Sequence, residues 1–150
     1  MNFTNKYLII AAFFSTLAAL LHLGCVVFGG DWYRILGAGE AMAQMAEAGH
    51  IYPTLITSAI ALMLLVWALY ALSGAGMIMR LPLLRLGLMV ISGICLLRGV
   101  AFVFLMPMFP DNSLTFWLVS SGFCLFIGVM YALGLRQAWP ELTQQITKSL

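Results

Sequence analysis

The sequence predicts an all-α integral membrane protein: a four-helix transmembrane bundle with a short amphipathic helix between its first and second spans. Three observations predict it. Of the 150 residues 63% are hydrophobic and 8% charged, with a mean hydropathy of +1.05, whereas a soluble chain is about 25% charged. Seven Lys and Arg with five Asp and Glu cannot cover a water-facing shell around so much apolar side chain. Apolar residues also gather in four stretches, 7–28, 51–72, 81–106 and 114–135, each close to the ~20 residues that cross a ~30 Å hydrocarbon core. These runs are continuous rather than alternating, and lipid offers the backbone no partner, so helices and not barrel strands are implied. The same composition excludes disorder, a secreted disulfide scaffold and a nucleic-acid module, and a net charge of +2 is too small to demand a polyanionic partner. The chain reads as one transmembrane domain over 1–150.

The first span follows Lys6 and ends in Leu23-Gly24-Cys25, which superficially resembles a lipoprotein cleavage site. His22 stands where such a site wants leucine, and the apolar run continues to Phe28, so an uncleaved helix is expected. The segment 31–49 is different. It opens with Asp31, a cap candidate, and sets Glu40, Gln44 and Glu47 at i, i+4 and i+7, one polar stripe of an amphipathic helix. Gly37 and Gly39 predict a break before Glu40. No strand precedes this Gly-Ala-Gly, so it is not a nucleotide fingerprint. Linkers 73–80 and 107–113 are short and separate the remaining spans.

Basic residues set the orientation. Four spans put Lys6, Arg80, Arg85, Arg136 and Lys148 on one side, and only Arg34 on the other, beside Asp31, Glu40, Glu47 and Asp111. Both termini are therefore expected in the cytoplasm of a bacterial inner (plasma) membrane, with segment 31–49 on the periplasmic face. Trp32, Tyr33, Tyr52 and Trp117 then lie at the outer interface, Tyr7 and Trp139 at the inner.

Small residues mark the packing faces: Ala11, Ser15, Ala18, His22 and Cys25 on the first span, Thr54, Ser58, Ala61 and Ala68 on the second, Ser92, Cys95 and Gly99 on the third, Ser121, Cys124, Gly128 and Ala132 on the fourth. Depth adds functional content. At 1.5 Å per residue, His22, Thr57 and Ser120 lie about 9 Å below the outer ends of their helices and Arg98 about 12 Å below its own. Arg98 is the most informative of them, because a membrane-buried Arg costs about 2.5–3.5 kcal/mol unless paired, hydrated or snorkelling. Its expected partners are Glu40 or Asp31 folded down from the outer segment, with the hydroxyls of Ser120 or Ser121 in support. Arg85, close to the inner boundary, is expected to snorkel.

Ligand-binding candidates are thus His22, Arg98, Glu40, Asp31, Thr57, Ser120 and Ser121. An imidazole beside a guanidinium suits an anionic or carbonyl-bearing headgroup, lipid or quinone, and equally a partner subunit's helix in a periplasm-facing polar cleft. Structural glue is the plainer reading of His22. Met42, Met45, Met106 and Met108 with His22 and Cys25 offer soft copper ligands, a weak signal since methionine is common in apolar cores. No His/Cys spacing suits zinc. Cys25, Cys95 and Cys124 all lie inside spans and read as small apolar filler. No Ser-His-Asp order, zincin helix or phosphate-cradling loop is present, so no hydrolase or nucleotide enzyme has a motif behind it.

At Trp32-Tyr33-Arg34, Gly37-Ala38-Gly39-Glu40, Met42-Ala43 and Tyr52-Pro53 the chain resembles small four-span bacterial inner-membrane proteins to which no activity attaches. In topology alone it is similar to the DoxX-like group, a likeness that transfers no site residue. Three function classes follow: a binding or accessory membrane protein, a small membrane enzyme using His22 and Glu40 as acid and base with Arg98 as anion anchor, and an oligomeric transport or copper-handling component.

Overall fold

The computed structural model describes residues 4–110 and 112–148, with side chains through residue 143. Every regular element among them is helical. Helix α1 (Lys6–Phe28) begins where the Asn5 side chain accepts from the Leu8 N–H at 3.2 Å, and it stops at Gly29, whose φ of 77° suits glycine alone. Two short helices follow, α2 (Gly30–Ile35) and α3 (Glu40–Glu47), separated by Leu36 to Gly39 with Gly37 and Gly39 at φ 72° and 92°. Helix α4 spans Ile51–Gly74, α5 Leu84–Val100, α6 Phe102–Leu105 and α7 Leu114–Lys148, with a 3₁₀ turn at Met106–Met108.

Three of these, α1, α4 and α7 up to Thr143, are long and apolar enough to cross a membrane. The expected uniform span over 81–106 is not one helix. It is α5 followed by Phe102–Met108, bent by 62°, and only the pair together has the length and hydropathy of a span. Pro82 and Leu83, the latter at φ 52°, delay the start to Leu84. At the far end Pro107 has no N–H for the carbonyl of Val103 and its ring crowds that position, so the α-helix cannot continue in register.

Helix α1 lies between α4 and α7, and α5 packs chiefly on α7. The core contains Leu8, Ala11, Ala71, Leu88 and Tyr131, all fully buried. Glycines let backbones approach. A Cβ at Gly99 would overlap Leu125, one at Gly128 would overlap Leu96, and one at Gly134 would overlap Leu8. Apolar side chains also face outward, with Phe13, Leu62 and Val119 each more than three-fifths exposed. On α4 the buried face runs through Pro53, Thr57, Ala61 and Ala68, while Thr54, placed on the packing stripe by its size, is exposed.

Hydrogen bonds between helices concentrate at the end that carries Lys6, Arg80, Arg85 and Arg136, called here the basic end. Asn5 donates from Nδ2 to the Gly134 carbonyl at 2.7 Å. Tyr131 Oη lies 3.1 Å from Ser15 Oγ and donates to the Trp67 carbonyl at 2.8 Å, joining α7, α1 and α4 at one atom. Ser92 donates to the Gly128 carbonyl at 3.2 Å. Interhelical hydrogen bonds in apolar surroundings contribute about 0.6–1.7 kcal/mol each. Tyr131→Phe should therefore lower unfolding stability in detergent by about 1 kcal/mol, with Ser15→Ala costing less because the Trp67 bond survives. Equal stability of Tyr131→Phe and the parent in a denaturant titration would remove this junction from the account.

Candidate functional site

At the opposite end α2 and α3 form a cap. Tyr33, Ala43 and Cys25 make a small buried cluster with Trp32, Leu36, Met42 and Ala46 against it. Trp32 stacks on Phe28 with centroids 4.7 Å apart, and its ring occupies the space that a side chain at Gly24 would fill. The ring of Phe116 lies over Gly37 in the same way. The cap is thus seated on the ends of both α1 and α7.

Arg34, in the last turn of α2, organises the polar side of this cap. Its Nε and Nη2 donate to the two oxygens of Glu40, each at 2.9 Å, a bidentate fork. Nη1 and Nη2 also donate to Glu47, at 2.5 and 3.1 Å, and Nη1 reaches Asp31 at 3.3 Å. Gln44 Nε2 donates to Glu40 at 3.2 Å. These contacts push the Arg34 pKa up, first through its bond to Glu40 and then through Glu47. They hold both glutamates below the ordinary carboxylate range, the Arg34 hydrogen bond being the largest cause for each.

This corrects the expected pairing of Glu40 or Asp31 with Arg98. The break at Gly37 to Gly39 turns α3 back on α2, so Glu40 in its first turn and Glu47 at its end reach the same guanidinium. Arg34 is near both in the chain, and no span has to be crossed to meet it. The signal was present in the sequence. Glu40 and Glu47 share one helical face, and the lone basic residue of an acidic segment is their nearest counter-ion.

Arg98, half-buried in the last turn of α5, is served by α7 instead. Its Nη1 donates to Ser121 Oγ at 3.3 Å, and its guanidinium carbon lies 5.2 Å from the centre of the Trp117 ring. Among the described residues it has no carboxylate at ion-pair distance. Ser120 donates back along α7, to the Trp117 carbonyl at 3.4 Å. Trp117 is 3% exposed, and its Nε1, like the hydroxyl of Tyr33, is buried without a hydrogen-bond partner among the described residues.

His22, half-buried, bonds within its own helix. Nδ1 lies 2.7 Å from the Ala18 carbonyl, and since a carbonyl only accepts, Nδ1 carries the proton. Thr57 is buried on α4. Of the seven candidates, then, Arg98 and Ser121 meet directly, with Ser120 adjacent through Trp117. Asp31 and Glu40 meet through Arg34. His22 and Thr57 share no bond with either group, and α7, not α1, is the principal neighbour of α5. Sequence reasoning missed Arg34, Glu47 and Trp117. Among the described residues no three His, Cys, Asp or Glu side chains gather as a metal cluster.

Comparison of the chain with protein-family models, with curated proteins and with solved structures yields no match.

Proposed function

We propose that the chain is a binding or accessory protein of the bacterial inner membrane. It crosses four times, with α5, α6 and the 3₁₀ turn as the third crossing, and keeps both termini in the cytoplasm. The cap is an amphipathic cover on the periplasmic face. Beneath it Arg98, flanked by Ser121 and Trp117, receives an anionic or carbonyl-bearing headgroup of a lipid or quinone, or the polar group of a partner's helix. One observation carries the reading: among the described residues Arg98 has a single serine hydroxyl and an aromatic face as partners, while the acids Asp31, Glu40 and Glu47 are engaged by Arg34. Four further guanidinium N–H groups stay available for an acceptor, and desolvation makes such a cation a strong anchor for one.

Binding is preferred over acid–base catalysis on chemical grounds. Glu40 carries a lowered pKa and is held by a bidentate arginine, which makes it a weak general base. The test is mass spectrometry of lipids and quinones retained after mild extraction of the parent and of Arg98→Gln and Arg98→Lys. One charge-assisted hydrogen bond contributes about 1.5–3 kcal/mol, so Arg98→Gln should lose a retained headgroup about ten-fold or more, with partial recovery in Arg98→Lys. The same retained molecules at the same levels in all three folded proteins would end the proposal.

A further inference from the structure

A second site lies at the basic end, away from Arg98. A cavity of ≈ 260 Å³ opens between the end of α4, the 75–83 loop, the start of α5 and α7 on either side of Pro140. Its floor is closed by the buried side chains of Ser73, Leu84 and Leu142, and its rim carries exposed Arg80 and Glu141. The wall is preformed. Ser73 Oγ donates to the Met79 carbonyl at 3.1 Å and accepts the Leu81 N–H at 2.9 Å, and Tyr70 donates to the Pro82 carbonyl at 3.2 Å, so three bonds pin the loop that forms one side.

The charges on this rim are unspent. Among the described residues every ion pair belongs to Arg34, so Arg80 and Glu141 neutralise neither each other nor a neighbour. The nearby Arg85 is occupied otherwise, stacked 3.5 Å from the centre of the Trp139 ring. That cation and indole pair is a combination favoured at a membrane–water boundary. Along the same loop Met77, Met79 and Leu83 are 58%, 83% and 74% exposed, an apolar apron with nothing polar to meet.

We infer that this cavity binds the phosphoethanolamine headgroup of a phospholipid, with Arg80 on the phosphate, Glu141 on the ammonium and the acyl chains over the loop apron. The charge pattern selects this class. A lipid with a phosphate alone would satisfy Arg80 and leave Glu141 facing a second anion. A trimethylated ammonium would bring the cation but none of the three N–H donors that Glu141 can accept. The apron argues for a lipid rather than a free zwitterion, since a soluble headgroup would leave it uncovered.

The inference rests on the membrane reading above but not on Arg98. Native mass spectrometry of the full chain in detergent, with added phosphatidylethanolamine, phosphatidylglycerol or phosphatidylcholine, measures it. The ethanolamine lipid should bind tightest, by about two- to five-fold over phosphatidylglycerol, the scale of one exposed ion pair. Glu141→Gln should abolish that preference, and Arg80→Gln should weaken both lipids. Both rim residues are exposed, so the variants fold. Preference for phosphatidylglycerol in the parent, selectivity that survives Glu141→Gln, or binding of soluble glycerophosphoethanolamine as tight as the lipid would each overturn the assignment. Failure of the Arg98 proposal shows only as headgroup retention indifferent to Arg98→Gln, so the two stand or fall separately.

Discussion

Gly128→Val should pry α5 from α7 and is expected to be the most damaging single substitution in the bundle. A Cβ at this position would lie 2.9 Å from the backbone nitrogen of Leu96 and equally close to its Cγ. A side chain can rotate away from such a contact; a helix backbone cannot, so the two helices must separate. Separation then strains the bond from Ser92 Oγ to the Gly128 carbonyl and loosens the contact of Gly99 with Leu125 along the same seam. Overpacking a tight core costs about 1–3 kcal/mol, and the lost seam adds to it, so thermal unfolding in detergent should shift down by several degrees or the protein should fail to accumulate. Gly122, six residues earlier on α7, is the control. A Cβ there meets nothing within 4 Å, and Gly122→Ala should be neutral or stabilising by up to about 1 kcal/mol through helix propensity alone. Should both substitutions behave alike, close approach at Gly128 is not what seats α5.

Arg34→Met should open the cap. The substitution keeps much of the aliphatic stem and leaves Asp31, Glu40 and Glu47 facing one another without their shared cation. Backbone amides of residues 30–47 should exchange with solvent roughly ten-fold faster than in the parent, while those of α5 and α7 stay unchanged. Acid should do the same to the parent. Glu40 and Glu47 have folded pKa values below their ordinary 4.5; a depressed carboxylate stabilises the folded form above its unfolded pKa and loses that contribution as pH falls through the folded one. The cap should therefore hold at and above about pH 4.5 and loosen only below it, read as a change in fluorescence of a variant that keeps Trp32 as its sole tryptophan. Arg34→Met should show no such transition. Exchange rates in the cap that are indifferent to both Arg34→Met and acid would mean that the apolar cluster of Tyr33, Ala43 and Cys25 holds the cap without the ion pairs.

The first and second long helices were legible almost to the residue, because a run of apolar side chains bounded by Asn5 and Gly29, or by His50 and Gly74, states its own length. The break at Gly37 to Gly39 was legible for the same local reason, positive φ at glycine. The third stretch misled. Its composition is that of a continuous span, and the 62° turn falls between Val100 and Phe102, where hydropathy does not change and ahead of Pro107, which lies within the second arm. The candidate site was read in its parts but not in its pairing. Arg98 with Ser121 was foreseen as a minor contact, whereas the carboxylates assigned to Arg98 belong to Arg34. The basic end, where the sequence offered no site candidate, holds the bonds of Tyr131, Ser15 and Ser92 that join the helices.

By itself the sequence determined that this protein is helical, which stretches are apolar enough for lipid, and where glycine breaks the segment between the first two long helices, since these properties add up residue by residue within a window of the chain. The tertiary structure alone decided that α7 rather than α1 lines Arg98, that Tyr131 joins α7 to α1 and α4, and where a cavity with two unspent charges opens. Such choices depend on distances between groups far apart in the chain, and electrostatic and hydrogen-bond energies change steeply over the few ångströms that separate one partner from another.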